Sequence, residues 1–358
     1  MPVSKPMTPI PRRILIIRRD NIGDLVCTTP LIAALRQRFP KAEIDFLVNS
    51  YNAPVVEGHP QVDRVFVYTK AKHAGGTGAR LGAYLDRLGL AWALRRRGYD
   101  WAILAGRTGV ARMLRTARLA GVANIVGFAR PDELRGLTHP IALPEQPEHE
   151  VAATLRLLAP LDIIDGAPPL SLAPRPIQRE RFARQLTQCA GYRPGMPVVA
   201  FHVSARKPSQ RWPAERVVAM MRTLHEREHC AFLLFWSPGP QDHPQHPGDD
   251  EKAAAIIAAA QGLPLLPCPT AELADLIGGL SLADQVVCSD GGAMHLAAGL
   301  GKPILCFFGQ SDARVWHPWQ VPHVVLQPPS HDVSDVDVAM ALEGWEKLQG
   351  QINPNPKS

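Results

Sequence analysis

Asp24 is the first residue in this chain whose type and setting could do chemistry. It closes the run Arg18-Arg19-Asp20-Asn21-Ile22-Gly23-Asp24, which follows a short apolar stretch and precedes a helical pattern. A carboxylate just after a glycine, beyond a strand's carboxyl end, can face a cleft and take a proton from a hydroxyl. It can equally cap the helix it opens. The run lacks the three-glycine spacing of a dinucleotide fingerprint and the Gly-Lys-Ser/Thr ending of a P-loop, so it supports neither cofactor. A second group lies in Val203 to Pro213, where Arg206, Lys207 and Arg211 alternate with Ser204 and Ser209 ahead of a helix. Backbone amides and cationic side chains there can hold phosphate, and a solvated basic loop is the plainer alternative. The third group runs from Ser289 to Pro303. Asp290 ends a strand, Gly291 and Gly292 let a ligand approach the backbone, and Ala293 with other small residues opens a helix whose amide end favours an anion. His295 sits on that Ala-rich helix either as a ligand or as a hydrogen-bonded core histidine.

Composition narrows the partners. With 358 residues, 46% of them hydrophobic, the chain can build two cores. A formal charge of +6 favours phosphates, sugar acids or a membrane surface without requiring nucleic acid, and none is expected. The cysteines at 27, 189, 230, 268, 288 and 306 have no CxxC spacing and read as reduced, mostly buried thiols. Asp242-His243-Pro244-Gln245-His246 is the one stretch with any metal-ligand character; a solvated loop is the expected reading, and no obligatory metal or other cofactor is expected. The lead MPVSKPMTPIPRR has no apolar region of signal-peptide length, which predicts a cytoplasmic protein. No run approaches the roughly 18 apolar residues of a spanning helix, so any membrane contact should be peripheral.

The elements that must position these loops alternate between strand and helix. Apolar runs predict strands at Ile14–Ile17, Ile44–Val48, Val65–Tyr68, Trp101–Leu104 and Ile125–Phe128. Three-to-four spacing predicts helices from Asp24 or Pro30 to Arg38, over 79–97, over 109–120 and from His149 to Leu158. Five prolines in 160–178 read as a linker. Beyond it the pattern repeats, with strands at Val198–His202, Phe232–Trp236, Gln285–Cys288 and Ile304–Phe307, and helices at Ala214–Glu226, Asp250–Ala260, 271–280, 294–299 and Val336–Leu348. Two doubly wound parallel α/β sheets follow, with ligands expected at the loops after Ile17, His202, Trp236 and Cys288. Basic residues at Lys70, Lys72, Arg80 and Arg87, and a stripe of Arg112, Arg115 and Arg118, put surplus positive charge in the first half.

These segments together resemble glycosyltransferase family nine, the lipopolysaccharide heptosyltransferases. The matching pieces are ILIIRRDNIGDLVCTTPLIAALRQRFPKAEIDFLV, HEVAATLRLLAPLDI, HVSARKPSQRWPAERVVAM and VVCSDGGAMHLAAGLGKPILCFFGQSDARVWHPW, spread in order over roughly residues 12 to 320. The resemblance implies a GT-B fold of two Rossmann-like domains facing a cleft: 1–165 for the acceptor, 166–330 for the nucleotide sugar, and 331–358 carrying a last helix back onto the first domain. It implies Asp24 as catalytic base beside Gly23 on the acceptor side. Donor contacts carry over to Ser204, Lys207, Arg211, Asp290, Gly291, Gly292, Ala293 and His295, with Glu251, and Asp250 next to it, for the nucleoside ribose. Lys70, Lys72, Arg80 and Arg87 are expected to meet an anionic glycolipid acceptor at the inner face of the cytoplasmic membrane. The implied reaction is inverting transfer of heptose from ADP-heptose to the lipopolysaccharide inner core on lipid A.

One departure stands out. The family often has Lys two places before the Trp-Pro pair, and this chain has Gln210 there, which leaves Lys207 or Arg211 to supply the charge. A non-catalytic binding protein for an anionic glycan or nucleotide sugar is the competing expectation. A NAD-dependent dehydrogenase is disfavoured by the glycine spacing of the first loop.

Overall fold

The computed structural model describes residues 10–68, 88–129, 136–240 and 248–354. Chain contacts divide it into two compact units, Met1–Pro169 and Leu170–Ser358, so the boundary falls inside the proline-rich stretch.

The first unit is built on six parallel strands: β1 (Arg13–Ile17), β2 (Glu43–Asn49), β3 (Arg64–Tyr68), β4 (Trp101–Leu104), β5 (Asn124–Ala129) and β6 (His139–Ala142). Their spatial order is β3-β2-β1-β4-β5-β6. β1 and β4 are apolar and buried on both faces because helices cover both sides of a parallel sheet. They also pair with each other, Ile14 opposite Trp101 and Ile17 opposite Leu104. The chain turns one way from β1 to β2 and the other way to β4, so the loops leaving β1 and β4 flank the switch point where such sheets bind ligands.

The second unit repeats the plan with β7 (Val198–His202), β8 (Ala231–Trp236), β9 (Leu265–Pro269), β10 (Gln285–Ser289), β11 (Ile304–Phe307) and β12 (His323–Leu326). Their order is β12-β11-β10-β7-β8-β9, all parallel. Here the switch point lies between β7 and β10, at the loops opening on Val203 and Asp290. Each unit has its own core. Leu15, Ile17, Leu104, Met113 and Ala117 belong to one, and Phe201, Trp212, Phe232, Phe307 and Trp345 to the other.

The central strands fall where the apolar runs predict them, whereas β6, β9 and β12 appear only in the fold. These three edge strands are partly exposed and two carry proline, so they lack a buried strand's continuous apolar run. The helix Pro176–Thr187, which the sequence reading did not predict, begins in the last three residues of the stretch read as linker; Pro176 is at its first turn and Phe182 and Leu186 are its buried face. The last helix, Val338–Ile352, falls within the second compact unit. Its buried residues Ala341, Gly344, Trp345 and Leu348 belong to the second unit. Trp345 Nε1 donates to Glu228 Oε1 at 2.7 Å, and a Cβ on Gly344 would stand 2.9 Å from Leu305 Cδ1. That face packs on β11, β12 and the helix Ala214–Glu228. The six cysteines are free thiols, Cys189 alone being partly exposed. Among the described residues no helix is long and apolar enough to cross a membrane.

Candidate functional site

In the first unit the chain leaves β1 through Arg18, and this arginine organises the loop. Its side chain is 2% exposed and each of its nitrogens has an oxygen close by. Nη2 lies 2.8 Å from Asp24 Oδ1 and 3.0 Å from Glu150 Oε1, Nε lies 3.2 Å from Asp20 Oδ2, and Nη1 donates to the Ala105 carbonyl. Burial alone would lower the guanidinium pKa, yet the carboxylates of Asp24, Glu150 and Asp20 together raise it, so Arg18 stays charged.

Asp24 is the third residue of the short helix Ile22–Val26. Its two oxygens have different work. Oδ2 accepts from the Asn21 backbone N–H at 2.9 Å and from Asn21 Nδ2 at 3.1 Å, which caps the helix, while Oδ1 meets Arg18. The cap and the charged contact therefore coexist in one carboxylate, which keeps 16% of its side chain exposed. Gly23, beside it, is buried. Glu150 opens the helix Glu150–Leu155, is 2% exposed, and is bridged from its other oxygen by Arg107 Nη2 at 3.0 Å from the loop after β4. Burial raises its carboxyl above the usual range against the pull of Arg18 and Arg107. Preceding it, His149 caps the same helix, its Nδ1 accepting from the Val151 N–H at 3.1 Å.

In the second unit the loop after β7 packs against the turn after β10. Gln210 is buried and its Nε2 donates to Asp290 Oδ2 at 2.9 Å. Asp290 is lifted above the usual carboxylate range by burial, against Ser311, Lys207 and Gln210, which favour its charged form. Gly291 follows at φ +155°, a backbone that side-chain-bearing residues rarely adopt, with open space where a Cβ would be. Gly292 and Ala293 then begin the helix Gly292–Gly299. His295 is buried on it, edge-on to Trp316 at 5.8 Å between ring centres.

The two candidate replacements for a cation at position 210 separate clearly. Arg211 turns inward, Nε donating to the Ala205 carbonyl at 2.9 Å and Nη1 lying 3.7 Å from the buried Asp249. Lys207 is exposed and acts on Asp290. Ser204 Oγ accepts from the Ser237 N–H at 2.9 Å, tying this loop to the one after β8. Asp250 is committed to structure, accepting from Trp236 Nε1 at 2.7 Å and from the Gly239 N–H at 2.9 Å, whereas Glu251 is exposed on the same first turn.

Lys252, which sequence reasoning passed over, is brought down to about 8 by burial, with Asp249 opposing and Arg211 adding to the fall. Its Nζ donates to the Val203 carbonyl at 3.0 Å. Lys252 also borders a small cavity with His202, Trp212 and Ser289. Burial, then Lys252, lowers His202 to about 4. Arg107, Glu150 and Asp249 were likewise not singled out. Their partners come from distant segments, Glu150 being 132 residues from Arg18, so no local pattern marks them.

Lys70, Lys72, Arg80 and Arg87 lie outside the described residues, as do Asp242, His243 and His246. Arg112, Arg115 and Arg118 are exposed on the helix Val110–Leu119, whose buried residues are Met113 and Ala117. Among the described residues no group of three His, Cys, Asp or Glu side chains could hold a metal ion.

Comparison with known proteins bears on this pair of sites. The family profile described as "Glycosyltransferase family 9 (heptosyltransferase)" matches residues 87–340. The curated "Lipopolysaccharide heptosyltransferase 3" of Escherichia coli is 24% identical over 309 residues, covering 83% of each chain. Among solved structures, the family 9 glycosyl transferase of Veillonella parvula DSM 2008 superposes with a TM-score of 0.79 at 18% identity, covering 95% of this chain and 97% of that one. The E. coli heptosyltransferase WaaC, solved with ADP-2-deoxy-2-fluoro heptose, gives 0.71 at 19% identity over 94% and 99%. The profile spans most of the chain and the superpositions include both sheets, so the protein belongs to glycosyltransferase family 9, the heptosyltransferases, and has the GT-B type of fold.

Proposed function

We propose that this enzyme transfers heptose from ADP-heptose to the inner core of lipopolysaccharide with inversion at the anomeric carbon. Family membership supports the reaction class, and the donor follows from the relatives, one of which was solved with an ADP-heptose analogue. The observation that carries the reading is the setting of Asp24, a partly exposed carboxylate in the first turn of the helix that opens at the first unit's switch point.

Asp24 is the base. As the acceptor oxygen attacks the anomeric carbon from the face opposite ADP, its proton passes to Asp24, and the bond from that carbon to the diphosphate oxygen breaks. The electron pair leaves on the diphosphate. Lys207 and the amide end of the helix Gly292–Gly299 stabilise that charge, Asp290 and Gly291 hold the turn that presents those amides, and Glu251 meets the ribose. The acceptor is an anionic glycolipid at the inner face of the cytoplasmic membrane, drawn to a chain carrying +6 through Lys70, Lys72, Arg80 and Arg87.

The experiment is direct. Purified protein is incubated with ADP-heptose and heptose-deficient lipopolysaccharide, and the product is weighed by mass spectrometry. A gain of one heptose with release of ADP is expected. Binding of ADP-heptose without transfer to any core acceptor would leave the non-catalytic reading, to which the uncharged Gln210 beside Asp290 lends its one support.

A further inference from the structure

Asp24 does not have Arg18 to itself. Three carboxylates, Asp20, Asp24 and Glu150, meet two guanidiniums, Arg18 and Arg107, in one connected cluster. Arg18 and Glu150 are sealed from solvent at 2% exposure each, while Asp24 keeps an open side. The same nitrogen, Arg18 Nη2, serves both Asp24 at 2.8 Å and Glu150 at 3.0 Å. Charge shared in this way is weaker at each partner than charge held by one.

A carboxylate that is the sole counter-ion of a buried arginine is a poor proton acceptor, because accepting a proton strands the cation in a low-dielectric interior. Glu150 removes that penalty. It remains as counter-ion to Arg18 when Asp24 takes up a proton, and Arg107 in turn holds Glu150 in place from its second oxygen at 3.0 Å. With three negative groups against two positive ones, a proton arriving on Asp24 neutralises the surplus.

We propose that Glu150 is a positioning residue for the reaction: it shares Arg18 with Asp24, keeping Asp24 fixed in place and basic, and Arg107 tempers how strongly it does so. This inference rests on the reading of Asp24 as the base. The charged and titratable groups around Asp24 are Arg18 from the end of β1, Asp20 from its own loop, Arg107 from the loop after β4, Glu150 from the helix Glu150–Leu155, and the buried Cys27 thiol. The turn Ala53–Val55, which packs on the Asp24 helix, brings no charge.

The test uses substitutions with opposite signs. Glu150→Gln removes a negative charge, so the acidic limb of kcat/KM for the acceptor should move to lower pH by roughly one unit, with kcat reduced about tenfold by the weaker base. Arg107→Gln removes a positive charge, and the same limb should move to higher pH. Binding of ADP, measured by calorimetry, should stay at the parent value in both. A purely structural role would not move the limb in opposite directions. Limbs at the parent position in both folded variants, or displaced the same way, would overturn the proposal. If Glu150→Gln does not fold, Arg107→Gln decides alone: an upward move supports the proposal and an unmoved limb refutes it. Asp24→Asn is run alongside. Normal turnover in that variant removes Asp24 as base, whereas an inactive Asp24→Asn with unmoved limbs in the other two refutes only the role of Glu150.

Discussion

At the scale of single residues, Asp24 carries two tasks that substitution can separate. An asparagine there keeps an oxygen for the Asn21 N–H, preserving the cap, but cannot accept the acceptor's proton. Asp24→Asn should therefore still fold, with some stability lost where its amide nitrogen replaces the oxygen facing Arg18 Nη2, and lose turnover by roughly 10² to 10⁴, with ADP binding unchanged; steady-state kinetics and calorimetry on one preparation check both halves. Lys207 and Arg211 make a second pair of opposites. Because Lys207 is exposed beside Asp290 and Arg211 is tied to Ala205 and Asp249, Lys207→Ala should raise the donor KM about tenfold with little change in melting temperature. Arg211→Ala should lower the melting temperature instead, since it leaves the buried Asp249 with Lys252 as its one remaining cationic neighbour. Donor kinetics and thermal melts of the two variants distinguish the roles. Gln210 could be flagged from the sequence as a departure, but its bond to Asp290 could not, because the two lie 80 residues apart.

At the scale of elements, the helix Pro176–Thr187 starts where the proline-rich stretch ends, with Pro176 at its first position. Phe182 meets Phe235 of β8 edge-on at 6.2 Å, and glycine makes the approach possible. A Cβ on Gly279 would lie 2.5 Å from Phe235 Cε1, and one on Gly278 would lie 2.5 Å from Gln178 Cβ. The helix is thus keyed into the glycine pair of the helix Leu273–Leu280. Phe182→Ala should destabilise the second unit by about 3–5 kcal/mol, the usual cost of deleting a buried aromatic ring. Urea titration followed by circular dichroism checks this, and a loss below 1 kcal/mol would mean that the helix is not part of that unit's core.

At the scale of the whole molecule, each unit carries its own sheet and core, so stability has two contributions that respond to pH separately. His202, at the end of β7, is lowered from 6.5 to about 4 by burial and by Lys252. Between those values the unfolded imidazole binds a proton that the folded one refuses, so stability falls as pH drops through this window, by at most about 3 kcal/mol. Glu150, Asp249 and Asp290, raised by burial, act in the opposite direction. The clean measurement is therefore a difference: from pH 7 to pH 5 the parent should lose more stability to urea than His202→Gln does. Equal losses would show that the imidazole is not held neutral.

Much of this protein is written locally in its sequence. β1, β4, β7, β10 and β11 are apolar runs that any parallel sheet must bury, and glycines, carboxylates and basic residues follow β1, β7 and β10, so the fold class and the two site loops are legible from residue order. Three of the four edge strands are not, because proline interrupts β6 and β9, and β12 is short and partly exposed throughout, whereas the fourth, β3, keeps a readable run at Val65–Tyr68. The sequence also left Asp24 open between cap and base, and left either Lys207 or Arg211 to replace a cation at position 210. Only the tertiary structure shows that Asp24 caps its helix and meets Arg18 at once, that Arg211 turns inward while Lys207 stays outside, and that the last helix packs on the second sheet. The physical reason is common to all three. Electrostatics and packing depend on distance in space: Asp24 meets Arg18 and Arg211 meets Ala205 across only 6 residues but in directions the fold sets, while Glu150 for Arg18, Asp290 for Gln210 and Glu228 for Trp345 are 132, 80 and 117 residues away along the chain.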